Sequence, residues 1–270
     1  MSFYIRHISP SQYTTFTNCG EQWYRRYILR QKIPPGIAAI KGTSVHKAAE
    51  IDLKEKKVTG EDQKLSFLEE VVSDEYDRRV NEEGIYIPHD ELPSASRLIG
   101  EGKDRAVAFV EPLRNDFLPQ IQPDLVEELF ELELPNLPKI IGVIDNFTAD
   151  NWLSDLKTGK MKTQKFADDS TQLTIYWEYL RSIGREPRLM TIDQIVDRKN
   201  PAYASIKTVR QQTDIDVVHR KLKIMMNQID AGIFPPASPG AWICDPKWCG
   251  YYWTCSHIPE YKRILPKRST

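Results

Sequence analysis

An α/β fold is predicted for this 270-residue chain, on three observations. The first half reads as amphipathic helices. From about residue 125 the apolar pattern changes to β-rich, alternating runs separated by turn residues. One helix then stands between two groups of strands, which is how helices come to pack against a sheet.

The elements follow in chain order. Residues 11–30, SQYTTFTNCGEQWYRRYILR, read as a helix that Ser9 or Ser11 can cap, with Pro10 near its first turn. Tyr13, Phe16, Trp23 and Tyr27 recur at helical spacing, so most share one face. IPPGIAAIKG breaks the pattern. A second helix starts near Thr43 and carries SVHKAAEIDLKE, with His46 and Glu50 one turn apart. Two acidic amphipathic helices follow at 64–83 and 94–118, separated by EEGIYIPHDELP. LVEELFELELP, KIIGVIDNFTA and WLSDLKT are strand candidates. STQLTIYWEYLRSIG reads as a helix with Ser170 as N-cap and Gly184 past its end. SIGREPRLMTIDQIVDRKNPAYASIKTV holds two more strands around a Lys-Asn-Pro turn. DIDVVHRKLKIMMNQIDAG is a last helix, capped by Thr213 and stopped by Gly232, before an aromatic, Cys-rich tail.

Composition narrows the class. Hydrophobic residues make up 40% and charged residues 28%, the profile of a soluble globular protein. MSFYIRHISP has no apolar core run, and no stretch of 18 apolar residues exists, so an intracellular, cytoplasmic protein without a membrane span is expected. The formal net charge of -1 hides an uneven distribution: +5 over residues 1–50, -12 over 51–135 and +6 over 136–270. A polyanion would be drawn to the two ends and repelled by the middle.

The stretch SDLKTGK carries the chemistry. Side chains alternate along a strand, so Asp155 and Lys157 project to the same face. If Ala149, Asp150 and Asn151 form a three-residue hairpin loop, Asp145 faces Asp155. Directly opposed Cβ atoms lie roughly 4.5–5.5 Å apart, and two carboxylates at that range repel. A divalent cation between them removes the conflict, and oxygen ligands suit Mg²⁺ or Mn²⁺. Lys157 then stands beside the metal, where it can act on a water or neutralise charge building on a phosphate.

These motifs resemble a family. GVID, SDLKTGK and QLTIYWEYL, in that order, look like the RecB-type branch of the PD-(D/E)xK nucleases, and GTSVHKAAE matches that branch's upstream G-x-x-x-H element. The resemblance covers residues 9–255 and implies a mixed central sheet flanked by helices, a restriction-endonuclease-like core. It implies a single nuclease domain over 1–270, with a helical insertion at 44–125, a catalytic sheet core at 126–210 and a C-terminal helix and loop at 211–270 closing onto the N-terminal helix. It implies hydrolysis of DNA phosphodiesters, with His46, Asp145 and Asp155 as metal ligands and Lys157 assigned to the attacking water. Gln172 and Tyr176 match its Q-x-x-x-Y helix, which supports the site and the DNA strand. The family often adds a glutamate upstream; VEELFEL offers Glu127 or Glu128, and Glu127 is favoured.

The four cysteines are Cys19, Cys244, Cys249 and Cys255. Without an export signal they argue for a metal centre over disulfides. Spacing alone leaves zinc and an iron–sulfur cluster open. The resemblance, similar here to AddB-type nucleases and the iron–sulfur nucleases of CRISPR adaptation, implies a structural 4Fe–4S cluster on one N-terminal and three C-terminal cysteines. Those relatives commonly show C-x2-C-x5-C where this chain has C-x4-C-x5-C. Trp242, Trp248, Tyr251, Tyr252 and Trp253 around them are expected to shield the cluster, the alternative being stacking on unpaired bases.

Lys160, Lys162 and Lys165, with Arg25 and Arg26, are the expected phosphate contacts. The functional expectation is a Mg²⁺- or Mn²⁺-dependent exonuclease acting on single strands or duplex ends. The alternatives are a DNA-binding or assembly subunit of the same fold without catalysis, and an unrelated zinc-stabilised protein. Expected partners are DNA, a separate helicase or recombination protein, and further copies of the chain; a membrane is not among them.

Overall fold

The computed structural model describes residues 5–238 and 240–263; residues 264–270 of the expected C-terminal unit lie outside these. Its centre is a mixed six-stranded sheet. The strands are β1 (His7–Ile8), β2 (Pro123–Leu132), β3 (Lys139–Thr148), β4 (Trp152–Gly159), β5 (Leu189–Val196) and β6 (Ala202–Thr208). β2 runs antiparallel to β3 along nearly its whole length. The other edge of β3 is shared: β1 pairs in parallel with its start, and β4 pairs antiparallel with Asn146 and Phe147 near its end. β4 and β5 are parallel, and β6 closes the sheet antiparallel to β5.

A parallel pair needs a crossover. α7 (Gln164–Asp168) and α8 (Thr171–Ser182) supply it between β4 and β5. The remaining helices are α1 (Pro10–Asn18), α2 (Gly20–Trp23), α3 (Ile37–Thr59), α4 (Leu65–Glu83), α5 (Ala95–Ala108), the short α6 (Val110–Pro112) and α9 (Gln212–Asp230). No described helix is long and apolar enough to cross a membrane.

The sheet separates two cores. On one face Phe16, Trp23, Phe147, Leu153, Tyr176 and Leu222 pack together. On the other, Val45, Leu53, Val72 and Phe109 of the helical layer meet Leu156 and Ile195. Leu153 and Leu156 are three apart on β4, so they point to opposite faces and enter different cores. Each fully buried Leu, Val or Phe contributes roughly 1.5–3 kcal/mol, which makes these two layers the main source of stability.

Most expected elements form, and the differences have local causes. The helix expected over 11–30 is broken at Cys19, whose backbone is extended. The C-terminal segment crosses there: Gly20 N donates to Pro235 O (2.6 Å), Ala237 N donates to Cys19 Sγ (3.3 Å), and Phe234 stacks on Tyr24. After the break the chain turns once more as α2 and then widens into a π-turn at Tyr24–Ile28. α3 begins at Ile37, earlier than Thr43, because Gly36 ends the Pro-Pro stretch in an extended conformation and serves as N-cap. The 94–118 helix is segmented, with a π-turn from Leu113 directly after Pro112. A proline removes one backbone donor from the helix ladder. α9 is capped by Gln211, paired with Asp214 in a capping box, so Thr213 lies inside the helix.

Two motif glycines are explained by close approach. Gly42 on α3 faces Thr158 of β4, where a Cβ would sit 3.1 Å from its hydroxyl. Gly142 of GVID lies under two rings; a Cβ there would be 2.6 Å from Phe130 and 3.3 Å from Tyr176. Phe130 is fully enclosed and meets Tyr176 edge-on, so neither ring has room to retreat. Gly142→Ala is therefore expected to destabilise the fold by about 1–3 kcal/mol through overpacking. Chemical denaturation checks this, and an unchanged midpoint would show that the rings yield freely.

Candidate active site

The hairpin carries the site. β3 ends at Thr148 and β4 starts at Trp152, so Ala149, Asp150 and Asn151 form the loop. Asn151 takes a left-handed φ of 66°, a conformation asparagine tolerates. Asn146 pairs with Ser154 and Phe147 with Leu153. Continued by one step, this register sets Asp145 opposite Asp155, and the ladder stops there. In place of a backbone pairing, Asp145 Oδ2 accepts a hydrogen bond from Leu156 N at 3.0 Å. The strands part where the two carboxylates would otherwise be pressed together.

β2 adds Glu127 across β3. Its neighbours pair regularly, Val126 with Asn146 and Glu128 with Ile144, but Glu127 itself has a φ of 49°. A glutamate held left-handed costs about 1–3 kcal/mol. The strand changes face at this point: Val126 enters the helical core, whereas Phe130 and Leu132 enter the other. Strict alternation would have put all three on one side. The turn brings Glu127 to His46 of α3. His46, Glu127 and Asp145 each offer a ligand atom, and these atoms lie within 4.8 Å of one another. His46 Nδ1 is 3.7 Å from Asp145 Oδ2 and 3.8 Å from Glu127 Oε1.

Asp155 stands beside this group and is 1% exposed. Its Oδ1 accepts from Lys157 Nζ (2.7 Å) and from Gln172 Nε2 (2.9 Å). Gln172 Nε2 also lies 2.7 Å from the Tyr176 hydroxyl, one turn along α8. Asp155 Oδ2 is buried with no hydrogen-bond partner among the described residues. An unsatisfied buried carboxylate oxygen is costly, and a cation is the partner that would relieve it. With a His, Glu and Asp donor set alongside, these residues fit a divalent ion with mainly oxygen ligands.

Burial and the clustered carboxylates set the electrostatics of the site. Burial pushes Asp155 up to about 6; Lys157 pulls the other way and the Asp145 charge adds to the rise. Burial would lower Lys157, but Asp155 and Asp145 outweigh it and hold the ammonium above its ordinary value. Burial would likewise lower His46, and Asp145 and Glu127 reverse the sign. Tyr176 is held well above the usual phenol range by burial and by the charges on Asp155 and Asp145.

Three features of the site had no pattern to announce them. The left-handed turn at Glu127 is one. Asn146, buried next to Asp145, is the second: among the described residues, neither polar atom of its amide has a protein partner. The third is Arg210, whose buried guanidinium donates to Ala167 O and Ser170 O and to the hydroxyls of Thr174 and Thr208. It clamps the elbow between α7 and α8 on either side of Gln172, so it sets where that amide reaches Asp155.

The expected phosphate contacts divide. Arg25 is engaged by Glu21 (2.6 Å) and by Thr254. Lys165 pairs with Asp169 one turn along. Lys162 lies over the Phe166 ring, and Lys160 is exposed. The four cysteines are all half-buried and free. No three of their sulfurs fall within 4.8 Å of one another among the described residues. They do influence each other: burial raises Cys249 to about 11, and the charges of Cys19, Cys255 and Cys244 add to that rise.

Over 186 residues the chain is 30% identical to one subunit of the ATP-dependent helicase/deoxyribonuclease of Streptococcus mutans. That alignment covers 65% of this chain and only 16% of the relative's length. The crystal structure of a proposed exonuclease from Eubacterium rectale superposes with a TM-score of 0.57 at 13% identity, over 98% of this chain and 91% of that one. This likeness shows the shared α/β fold. Residues 7–256 match the family model described as the PD-(D/E)XK nuclease superfamily, and the chain belongs to that superfamily.

Proposed function

We propose that the protein is a divalent-metal-dependent deoxyribonuclease of the RecB/AddB type that degrades DNA from an end. The observation that carries this reading is the buried Asp155 carboxylate, with Lys157 and Gln172 on one oxygen and no partner on the other. The solved neighbour of the same fold is named as a proposed exonuclease, and the Streptococcus relative as part of a helicase/deoxyribonuclease; both names agree with it. DNA is then the substrate, and a separate helicase or recombination protein the partner such a nuclease would serve.

His46, Glu127, Asp145 and Asp155 would hold the cation. Bound there, Mg²⁺ or Mn²⁺ supplies a Lewis acid against the scissile phosphate. Lys157 keeps its proton, because Asp155 and Asp145 hold the ammonium above its ordinary pKa. It therefore acts as a fixed cation and hydrogen-bond donor, orienting the attacking water and offsetting charge on the phosphate, rather than as a resting base. Gln172 ties Asp155 Oδ1 to Tyr176 and so fixes the orientation of the carboxylate. We assign the sheet core to 126–210, the helical insertion to 44–125 and the closing unit to 211–270.

The cysteines are read as ligands of a structural 4Fe–4S cluster. A single tetrahedral zinc with Zn–S bonds of about 2.3 Å would draw the sulfurs closer together than 4.8 Å. A cubane cluster is a larger body and holds its four thiolates farther apart. The extended backbone at Cys19 points its sulfur to the C-terminal segment, where Ala237 N already donates to it.

Asp155→Ala and Lys157→Ala are each expected to lower Mn²⁺-dependent degradation of end-labelled DNA at least about a hundredfold, with the fold retained. Unchanged turnover in both variants removes the enzyme reading and leaves a DNA-binding role. Asp155 must be ionised to hold a cation, and its folded pKa is raised to about 6. In the metal-free protein that raised value means stability gained as pH falls through 6 toward the ordinary carboxylate range, because the buried charge is removed. Metal binding has the opposite sign: Mn²⁺ affinity, read by calorimetry, is expected to weaken as pH drops below 6, by about tenfold per unit for each proton displaced. An affinity that is flat from pH 5 to 8 counts against Asp155 as a ligand. Protein purified without oxygen is expected to be brown, and Cys19→Ser to lower its iron content; a colourless, zinc-loaded preparation would overturn the cluster.

A further inference from the structure

A large cavity lies away from the carboxylates. It is an open groove of about 1230 Å³ between the 26–39 segment and the Cys-rich loop. Its walls present Arg26, Arg30 and Lys32, none of which has a carboxylate partner among the described residues. The other cations at its rim are neutralised: Lys41 by Asp197 (2.7 Å) and Lys247 by Glu91 (3.5 Å). Of the lining acids, Glu83 is committed to Arg79 at 2.8 Å. The groove therefore carries a net surplus of positive charge.

Aromatic faces stand among these cations. Trp248 lines the groove and is 51% exposed, and Tyr27 lies beside Arg26. The segment is also strained. Arg30 has a φ of 58°, which a residue with a side chain rarely adopts, and Pro34 and Pro35 stiffen the chain just beyond it. Strain held at a surface arginine points to a use for the position of its guanidinium.

We propose that this groove binds the unpaired strand of a nucleic acid, with Arg26, Arg30 and Lys32 on the phosphates and Trp248 stacked on a base. Cations alone would suit any polyanion; cations together with an exposed indole select one that carries flat, apolar faces. A duplex hides those faces inside its stack. The groove's lining reaches Lys41 on α3, and His46 follows five residues later on the same helix, about 7.5 Å along its axis. A strand lying in the groove thus runs toward the carboxylate site. This rests on the nuclease reading for its purpose, but not for its test.

Binding of a fluorescent oligo(dT) of about twenty nucleotides is measured by anisotropy in EDTA, where no cleavage occurs. The triple variant Arg26→Gln, Arg30→Gln, Lys32→Gln is expected to bind at least tenfold more weakly. The slope of log affinity against log salt should fall by about 2, the share of three phosphate contacts on a single strand. Trp248→Ala is expected to cost about tenfold. Arg30→Gly separates function from folding: glycine relaxes the left-handed backbone, so the melting temperature should hold or rise while oligo(dT) binding falls. A blunt duplex of the same length should lose less than the single strand in every variant. Folded variants with unchanged oligo(dT) affinity and salt slope overturn the proposal, and so does an equal loss for duplex. Turnover of bis(p-nitrophenyl) phosphate with Mn²⁺, a phosphodiester too short to reach the groove, is measured separately on the wild-type protein. If the wild type lacks that turnover, the nuclease reading fails while the binding result still decides the groove.

Discussion

The protein is organised around an ionisable group in a place that resists charge. Asp155 is almost wholly enclosed by a sheet and two helical layers, and one of its oxygens has no partner among the described residues. Leaving such a group in place costs several kcal/mol unless a counter-charge is supplied. Lys157 and Gln172 meet part of the demand. The rest of the site can be understood as the surroundings of the unmet part: an imidazole from one helical layer, a carboxylate from each of two neighbouring strands, and an amide and phenol from the opposite layer. With β4, which carries Asp155 itself, these make five elements that only the folded sheet brings together.

How much of this could be read beforehand depended on the range of the interaction. The hairpin register was legible because a three-residue loop fixes the pairing of the residues beside it, and Asp145 and Asp155 lie close to that loop. α8 was legible because Ser170 caps it locally, its Oγ accepting from Leu173 N. The break at Cys19 was not, since it is imposed by residues 234–237, over two hundred positions away. Arg210 was invisible for the same reason: its partners Ala167, Ser170 and Thr174 are distant in sequence, and a lone arginine has no period. Glu127 was named only through the family likeness. Alternation along β2 predicts a regular strand, and the left-handed turn that aims this side chain departs from it.

The two cores divide the labour. The layer of α1, α8 and α9 holds Gln172 and Tyr176 against the sheet, and the Phe130–Tyr176 contact passes over Gly142 to do so. The helical layer on the other face holds His46 through α3. Neither layer alone can build the site, which lies along their common boundary. The acidic helices of that second layer pair part of their charge internally, as Glu75 does with Arg78 and Arg79, but pairs made inside the segment leave its net balance of -12 unchanged.

The shared edge of β3 has a mechanical meaning. Between its short pairing with β1 and its short pairing with β4, residues 141–145 on that edge have no strand partner among the described residues. A guest arriving there does no work against a continuous ladder, because the sheet is built already parted. The Asp145 side chain can therefore take the Leu156 N–H that a continuous ladder would have claimed, which fixes its carboxylate at the opening.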